Sequence, residues 1–506
     1  MKEFNFYMNA NNINIIIDKE GICNLVFDSK NQEHNLFNGE VINELSEIID
    51  SVINDTNIIG FIISSAKKSF HHGYDLKYLY TLNNAGEIFD QIYKLSKTLR
   101  KLEISRKPVV CAISGSSNLG GLELILHCHY KIADNSNSTN ISINNVKYDL
   151  CPNIGGSQRL PRSIGVSDTL DLLLNDNTLS TKDAYDKKII DEITNKEQLF
   201  ERCKIFIKNN KESYQIWDKK QNISPFEEKN LGYFISKIAM LHAENADLYP
   251  SVKILMSSIF EGLNTDVNTG LKIEARHFTW LLNHKETRSM LKTLKFTKSR
   301  KKVDENIIKL CKKSLEENYS AEGVKLLIEG VAAPLIENAG KRLGFIDSPL
   351  ASADKLELQS LIPHLDSKDA AVSALIRSMQ KINRKGCSTN KGFYDYKDNK
   401  KLKLWHGLKD LIPPSNKQPE ISFVEQRLLF SCINNMLYNY TKIFKNNDQN
   451  LFDYLSITKM SLPTWTGGPF SWIKNFNVKK FNIINKEFEK SQGSRFIVDQ
   501  KLLDSI

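Results

Sequence analysis

GSSNLGGLELILHCHYKIAD, residues 115–134, decides how the chain is read. The preceding RKPVVCAISG, residues 106–115, alternates like a strand rich in β-branched residues, so the Gly-rich segment reads as a strand-to-helix junction. Gly120 and Gly121 then stand at a helix mouth with one acid, Glu123, directly behind them. Such a mouth offers unpaired N–H groups to an oxyanion, and glycine lets a substrate come close to the backbone. The same spacing also suits an ordinary tight turn into a core helix.

Working towards the N-terminus, NIIGFIISS (57–65) has the β-branched content of a buried strand and runs into AKKSFHHGYDLKYLY (66–80). Gly73 occupies the turn there, so the Tyr74 N–H becomes a second backbone donor beside the first junction. Residues 40–54 read as a helix with Val41, Leu45, Ile48 and Ile49 on one face, and a further helix is expected over about 84–103. Strand-like runs occupy residues 1–30. Two strand-to-turn junctions followed by helices predict an α/β unit with parallel strands, whose ligands bind at the C-terminal strand edge.

Composition bounds the rest. A chain of 506 residues, 41% hydrophobic and 25% charged, is globular and long enough for roughly three or four domains. Apolar runs fall short of the roughly 18 residues of a membrane span, and MKEFNFYMNANN lacks the basic and apolar regions of a secretory signal, so a cytoplasmic protein without a membrane span is expected. The eight cysteines are scattered without a CxxC pair, as expected of reduced thiols. A net charge of +10 suits either a solvated basic surface or an anionic ligand; KSRKK at 298–302 is a local cluster, and no aromatic-interleaved basic motif points to nucleic acid.

FHHGYDL, GSSNLGGLEL and CPNIGGSQRLPRSIG (151–165), in this order and at these separations, resemble the three signature segments of the crotonase, or enoyl-CoA hydratase/isomerase, superfamily. The resemblance implies a spiral of ββα turns that binds an acyl-CoA thioester, its carbonyl oxygen between the backbone N–H groups of Tyr74 and Gly120. It assigns Glu123 as one of two carboxyl groups serving hydration. The second is expected within ISINNVKYDLCP, where this chain has Asn144 and Asn145. An amide orients water but exchanges no proton at neutral pH, so Asn145 puts hydration in doubt. His127 and His129 stand where the family has a small residue and an aspartate, and Asp149 and Asn153 replace two glycines. The histidines, placed on a helix at i, i+2, face different sides of it and read as packing or surface positions, not metal ligands.

Residues 274–302 resemble the linker helix of the alpha subunits of bacterial fatty-acid oxidation complexes, where a 3-hydroxyacyl-CoA dehydrogenase follows. Here its Rossmann domain is missing: no two of the 24 glycines are spaced i, i+2, so G-x-G-x-x-G is absent. GVKLLIEGVAAPLIENAGKRLGFIDSPLASAD (323–354) and TNKGFYDYKDNKKLKLWHGL (389–408) resemble the dehydrogenase's helical C-terminal domain, and EQRLLFSCINNML (425–437) with LPTWTGGPFSWI (462–473) its second copy. Structural roles suffice for Gly344, Pro349, Gly392, Gly467, Gly468 and Pro469.

The expected architecture is therefore a crotonase-like α/β domain over 1–190, a helical region with linker helix over 191–303, all-α domains over 304–410 and, as a partial copy, 411–480, and a variable tail over 481–506. The expected function is acyl-CoA binding with poor hydration of 2-enoyl-CoA by Glu123, Asn145 and the amides of Tyr74 and Gly120. Coenzyme A thioester is the substrate, with no bound cofactor, no metal and no NAD site. The rival reading is an inactive binding or assembly subunit, with a thiolase-type partner or a second copy of the chain as its companion.

Overall fold

The computed structural model describes residues 6–9, 11–143, 145–175, 177–219, 228–245, 248–294, 303–364, 370–398, 400–445 and 448–506. The chain divides into two compact units, Met1–Ala239 with Tyr249–Leu291, and Met240–Leu248 with Lys292–Ile506.

The first unit is built on a sheet whose described part has seven strands. β1 (Phe6–Asn9), β2 (Ile13–Ile17) and β3 (Ile22–Phe27) form an antiparallel meander. β4 (Gly60–Ser65), β5 (Val109–Ile113) and β6 (Tyr130–Asp134) then add in parallel, and after a separate hairpin of β7 (Asn140–Ile143) with β8 (Asn177–Ser180), β9 (Glu192–Thr194) closes the parallel edge. A parallel sheet is covered on both faces, which is why Val109–Ile113 is buried throughout and carries no alternation. The expected helices are Gly39–Val52, burying Val41, Leu45, Ile48 and Ile49, and Ala85–Glu103, capped by the Asn84 side chain. Leu199, Cys203 and Ile207, from the helix Leu199–Asn209, pack on Ile22, Ile62, Val110, Ala112 and Ile132 of the sheet.

This unit runs past residue 190 because later helices bury their apolar faces in it. Arg162 donates to the carbonyls of Gly262 and Thr265, both at 2.9 Å, and the helices Pro250–Leu263 and Val267–Asn283 pack against each other. The continuous linker helix expected from residue 274 is not found. The helix ends at Asn283, His284 is extended (φ −72°, ψ 140°), and a new helix spans Lys285–Leu294. Polar anchoring fixes that second helix: Thr287 donates to the Asp149 carboxylate at 2.5 Å, and Arg288 donates to the carbonyls of Leu82 and Tyr80 at 2.8 and 2.9 Å. The KSRKK cluster lies outside the described residues.

The second unit is largely helical. Its long helices Glu305–Ile328 and Ile421–Asn439 pack together, with Arg427 buried against Glu322 at 2.6 Å. It also holds a small antiparallel hairpin, β10 (Tyr394–Lys397) with β11 (Lys400–Leu404), whose Tyr394 and Tyr396 turn inward. One capping device occurs twice. Glu337, from the helix Ala333–Arg342, accepts from Leu350 N at 2.7 Å and from Ser348 Oγ at the start of the Pro-initiated helix Pro349–Leu356. Asp453, from the helix Gln449–Thr458, accepts from Phe470 N and Ser471 N, each at 2.9 Å, at the start of the Pro-initiated helix Pro469–Phe476. Both satisfy helix-end amides that water would otherwise serve. Beyond residue 480, Phe481 stacks on Phe430 and Phe496 is buried, so this stretch packs into the unit's core. No described helix is long and apolar enough to cross a membrane.

Candidate active site

Two loops meet where the sequence places its junctions. Gly73 adopts φ +69°, and a Cβ there would lie 2.4 Å from Gly120 N, so only glycine permits the contact. A Cβ on Gly121 would lie 2.1 Å from His71 O. The loop after β4 is held by Phe37, which donates to Gly73 O at 2.7 Å and accepts from Asp75 N at 2.9 Å. Gly73 N donates at 3.0 Å to His71 Nδ1; burial, with neighbouring His72, pushes that imidazole down to about 3, so it stays neutral and can accept. On the facing loop Gly121 N donates to Asn118 O at 2.8 Å. Among the described residues, Tyr74 N and Gly120 N are left without acceptors, on the two loops that Gly73 and Gly120 bring into contact.

Glu123 sits in the first turn of the short helix Gly121–Leu126 and is 3% exposed. Its Oε1 accepts from the amides of Asn153, Ile154 and Gly156 at 2.9, 2.7 and 2.9 Å. Its Oε2 has no partner among the described residues and lies 3.5 Å from where a Cβ on Gly120 would stand. Burial, then the charge of Glu274, push the Glu123 carboxyl up to about 8 against the pull of the three amides. The Tyr74 hydroxyl, also buried and without a partner among the described residues, is raised further still by burial and by Glu123.

Glu274 was not singled out from the sequence. It is 1% exposed and takes the alternate amides of the same loop, Gly155 N and Ser157 N (2.9 Å), together with Ser157 Oγ at 2.5 Å. Residues 153–157 thus direct five consecutive N–H groups into two carboxyls, three to Glu123 and two to Glu274. The signal that marks Glu274 is its register: with Leu271, Ala275 and Phe278 it lies on the buried stripe of an amphipathic helix, where an acid is out of place unless partnered.

Asn145 opens the turn after β7 and is 6% exposed; its Oδ1 has no partner, and no hydrogen bond joins it to Glu123 among the described residues. Asn144 lies outside the described residues. The structure thus brings together Tyr74 N, Gly120 N and the Glu123 carboxyl, while Asn145 stands on the segment leading to the loop that holds Glu123. Asp149 adopts φ +49°, a conformation that glycine takes freely and aspartate tolerates, and its carboxylate is tied to Ser251 N (3.0 Å) and Thr287. Neither histidine is on the helix, which ends at Leu126. His127 is buried and donates from Nδ1 to Glu123 O at 2.8 Å; His129 accepts from Val109 N at 3.1 Å as β6 begins.

Residues 18–218 match the family described as enoyl-CoA hydratase/isomerase. The chain is similar to the fatty acid oxidation complex subunit alpha of Shewanella sp. (strain W3-18-1), at 26% identity over 275 residues, 54% of this chain and 39% of that one. It is 28% identical over 282 residues to the subunit of the same name from Shewanella loihica, covering 53% of this chain and 39% of the relative. The chain therefore spans about two fifths of the length of these curated relatives. Among solved structures it resembles an enoyl-CoA hydratase from Bacillus halodurans, with 20% identity, 57% of this chain and 98% of that chain covered, and a TM-score of 0.40.

Proposed function

We propose that residues 18–218, which match the enoyl-CoA hydratase/isomerase family, form a domain of that kind, and that this chain binds an acyl-CoA thioester and hydrates 2-enoyl-CoA slowly. The observation that carries the reading is the pairing of two amides, Tyr74 N and Gly120 N, with Oε2 of Glu123, none of which has a partner among the described residues. The thioester oxygen sits between the amides, which strengthen their hold as negative charge develops in the enolate-like state; one such donor is worth about 10²–10³ in rate. Coenzyme A thioester is the substrate, and no cofactor takes part.

With Oε1 occupied by three amides, proton exchange at Glu123 is confined to Oε2. The carboxyl is raised to about 8, so at neutral pH Oε2 carries a proton. That proton passes to C2 while water adds at C3 and returns one, so one water is consumed and the carboxyl is regenerated. Asn145 orients that water without exchanging protons. The lost second carboxyl costs about 10²–10⁴, hence slow turnover.

A second reading, favoured by Asn145, is a catalytically silent subunit that binds acyl-CoA and assembles with a thiolase-type partner or a second copy. On either reading the chain belongs to fatty-acid β-oxidation in the cytoplasm, and 3-hydroxyacyl-CoA dehydrogenase activity is not expected, because the sequence lacks G-x-G-x-x-G. Loss of the ultraviolet absorbance of crotonyl-CoA separates the two. Wild type should exceed Glu123→Gln by about 10² or more; equal, background rates would remove the hydratase reading and leave the binding one.

A further inference from the structure

We infer that Glu274 is a positioning residue for Glu123: the two carboxyls share the five amides of residues 153–157 and hold one negative charge between them, which settles on Glu274 and leaves the proton on Glu123 Oε2. The inference rests on the hydratase reading for its consequence in turnover. Its structural part stands on the hydrogen bonds alone.

Burial raises Glu274 as well, against the pull of its own donors and of Arg159, and the division of charge between the two carboxyls follows from those donors. Glu274 receives two amides and the Ser157 hydroxyl, spread over both of its oxygens. That hydroxyl is itself fixed by Gln158 Nε2, which donates to it at 2.9 Å, and by Ser258 Oγ at 2.8 Å. Glu123 receives its three amides on Oε1 only, so Oε2 is the one oxygen of the pair without a donor among the described residues. Two buried carboxylates on one short loop cannot both ionise cheaply, and the proton goes where no donor is lost.

The other titratable groups around the pair do not reverse this. Tyr74, from the loop after β4, and Cys151, ahead of the clamped loop, are both raised by burial and stay neutral. His127, behind the Glu123 helix, is driven down to about 3 by burial and by Arg159. Arg159 is the cation on this side; it donates to both oxygens of buried Glu103 at 3.0 and 2.6 Å. Burial would raise Glu103, but Arg159 overrides it and holds Glu103 at about 2; the same guanidinium also lowers Glu274, which favours the anion there.

Isotope-edited infrared spectroscopy of the full chain, with ¹³C-labelled glutamate, reads the proton directly. The protonated-carboxyl stretch abolished by Glu123→Gln is followed against pH. In wild type it should titrate near 8. In Glu274→Gln the midpoint should fall by about one pH unit or more, while Glu274→Asp, which restores the charge, should keep it high. An unchanged midpoint in folded Glu274→Gln overturns the inference. Ser157→Ala provides a milder variant that keeps both carboxyls: with a donor to the Glu274 anion removed, the Glu123 band at pH 7 should weaken, and an undiminished band also overturns the inference. In crotonyl-CoA hydration the alkaline limb of the kcat profile should move down in Glu274→Gln with KM little changed. Absence of turnover in wild type removes the hydratase reading, and the infrared titration still decides the clamp.

Discussion

Glu123 in the first unit and Asp453 in the second are both buried carboxyls that accept backbone amides, and burial raises both, to about 8 and about 7. They differ in what is left over. Asp453 uses one oxygen for Phe470 N and the other for Ser471 N and Oγ. Glu123 crowds three amides onto one oxygen, and among the described residues its other oxygen and two nearby amides have no partner. A raised carboxyl therefore does not mark a site in this molecule. What singles out the proposed site is a buried acceptor without a donor next to backbone donors without an acceptor, among the described residues.

The sharpest way to break this contrast is Gly73→Ala. The added Cβ, 2.4 Å from Gly120 N, forces apart the two amides, and hydration of crotonyl-CoA should fall by about 10²–10³. Activity surviving at the wild-type level would mean that these amides are not where the thioester oxygen lies. Asn145→Glu works in the opposite direction. Restoring a carboxyl at a buried position that already holds an unpartnered Oδ1 should raise the hydration rate by about tenfold to a hundredfold, and an unchanged rate would put Asn145 outside the reaction.

Asp453→Asn should show no such effect on turnover. It leaves one helix-end donor facing an amide, a loss of about 1–3 kcal/mol in calorimetric stability. The pH dependence gives the sign. Because the folded pKa lies above the ordinary 3.8, folding takes up a proton between about 4 and about 7; the stabilisation is complete below that window and is lost as pH rises through it. The stability gap between wild type and Asp453→Asn should therefore narrow from pH 4 to pH 7.5. A gap that widens would reverse the protonation state assigned to Asp453.

Much of the fold was legible because its signals are local. The helix expected over 84–103 is found at Ala85–Glu103 and the buried strand at Val109–Ile113, each set by a run of like-phased apolar residues. The meeting of the Gly73 and Gly120 turns was legible because it depends on backbone alone. The helical breaks were not: His127 was expected within a helix that stops at Leu126, and His284 within one that stops at Asn283. In both places the stop comes from distant partners, Val109 N for the segment that becomes β6 and the Asp149 carboxylate for the segment after His284. Glu274 escaped because its partners lie more than a hundred residues earlier, and only its place on a buried stripe sets it apart from an ordinary helical acid.

The family match ends at residue 218, whereas the groups that complete the loop, Ser251, Glu274 and Thr287, all come afterwards. Excising the chain at that boundary would produce a fragment with every signature segment intact and its anion cradle undone. The compact unit that holds both carboxyls reaches Leu291, and a recombinant design or a sequence comparison confined to the matched segment would discard the half of the clamp that sets the state of the other half.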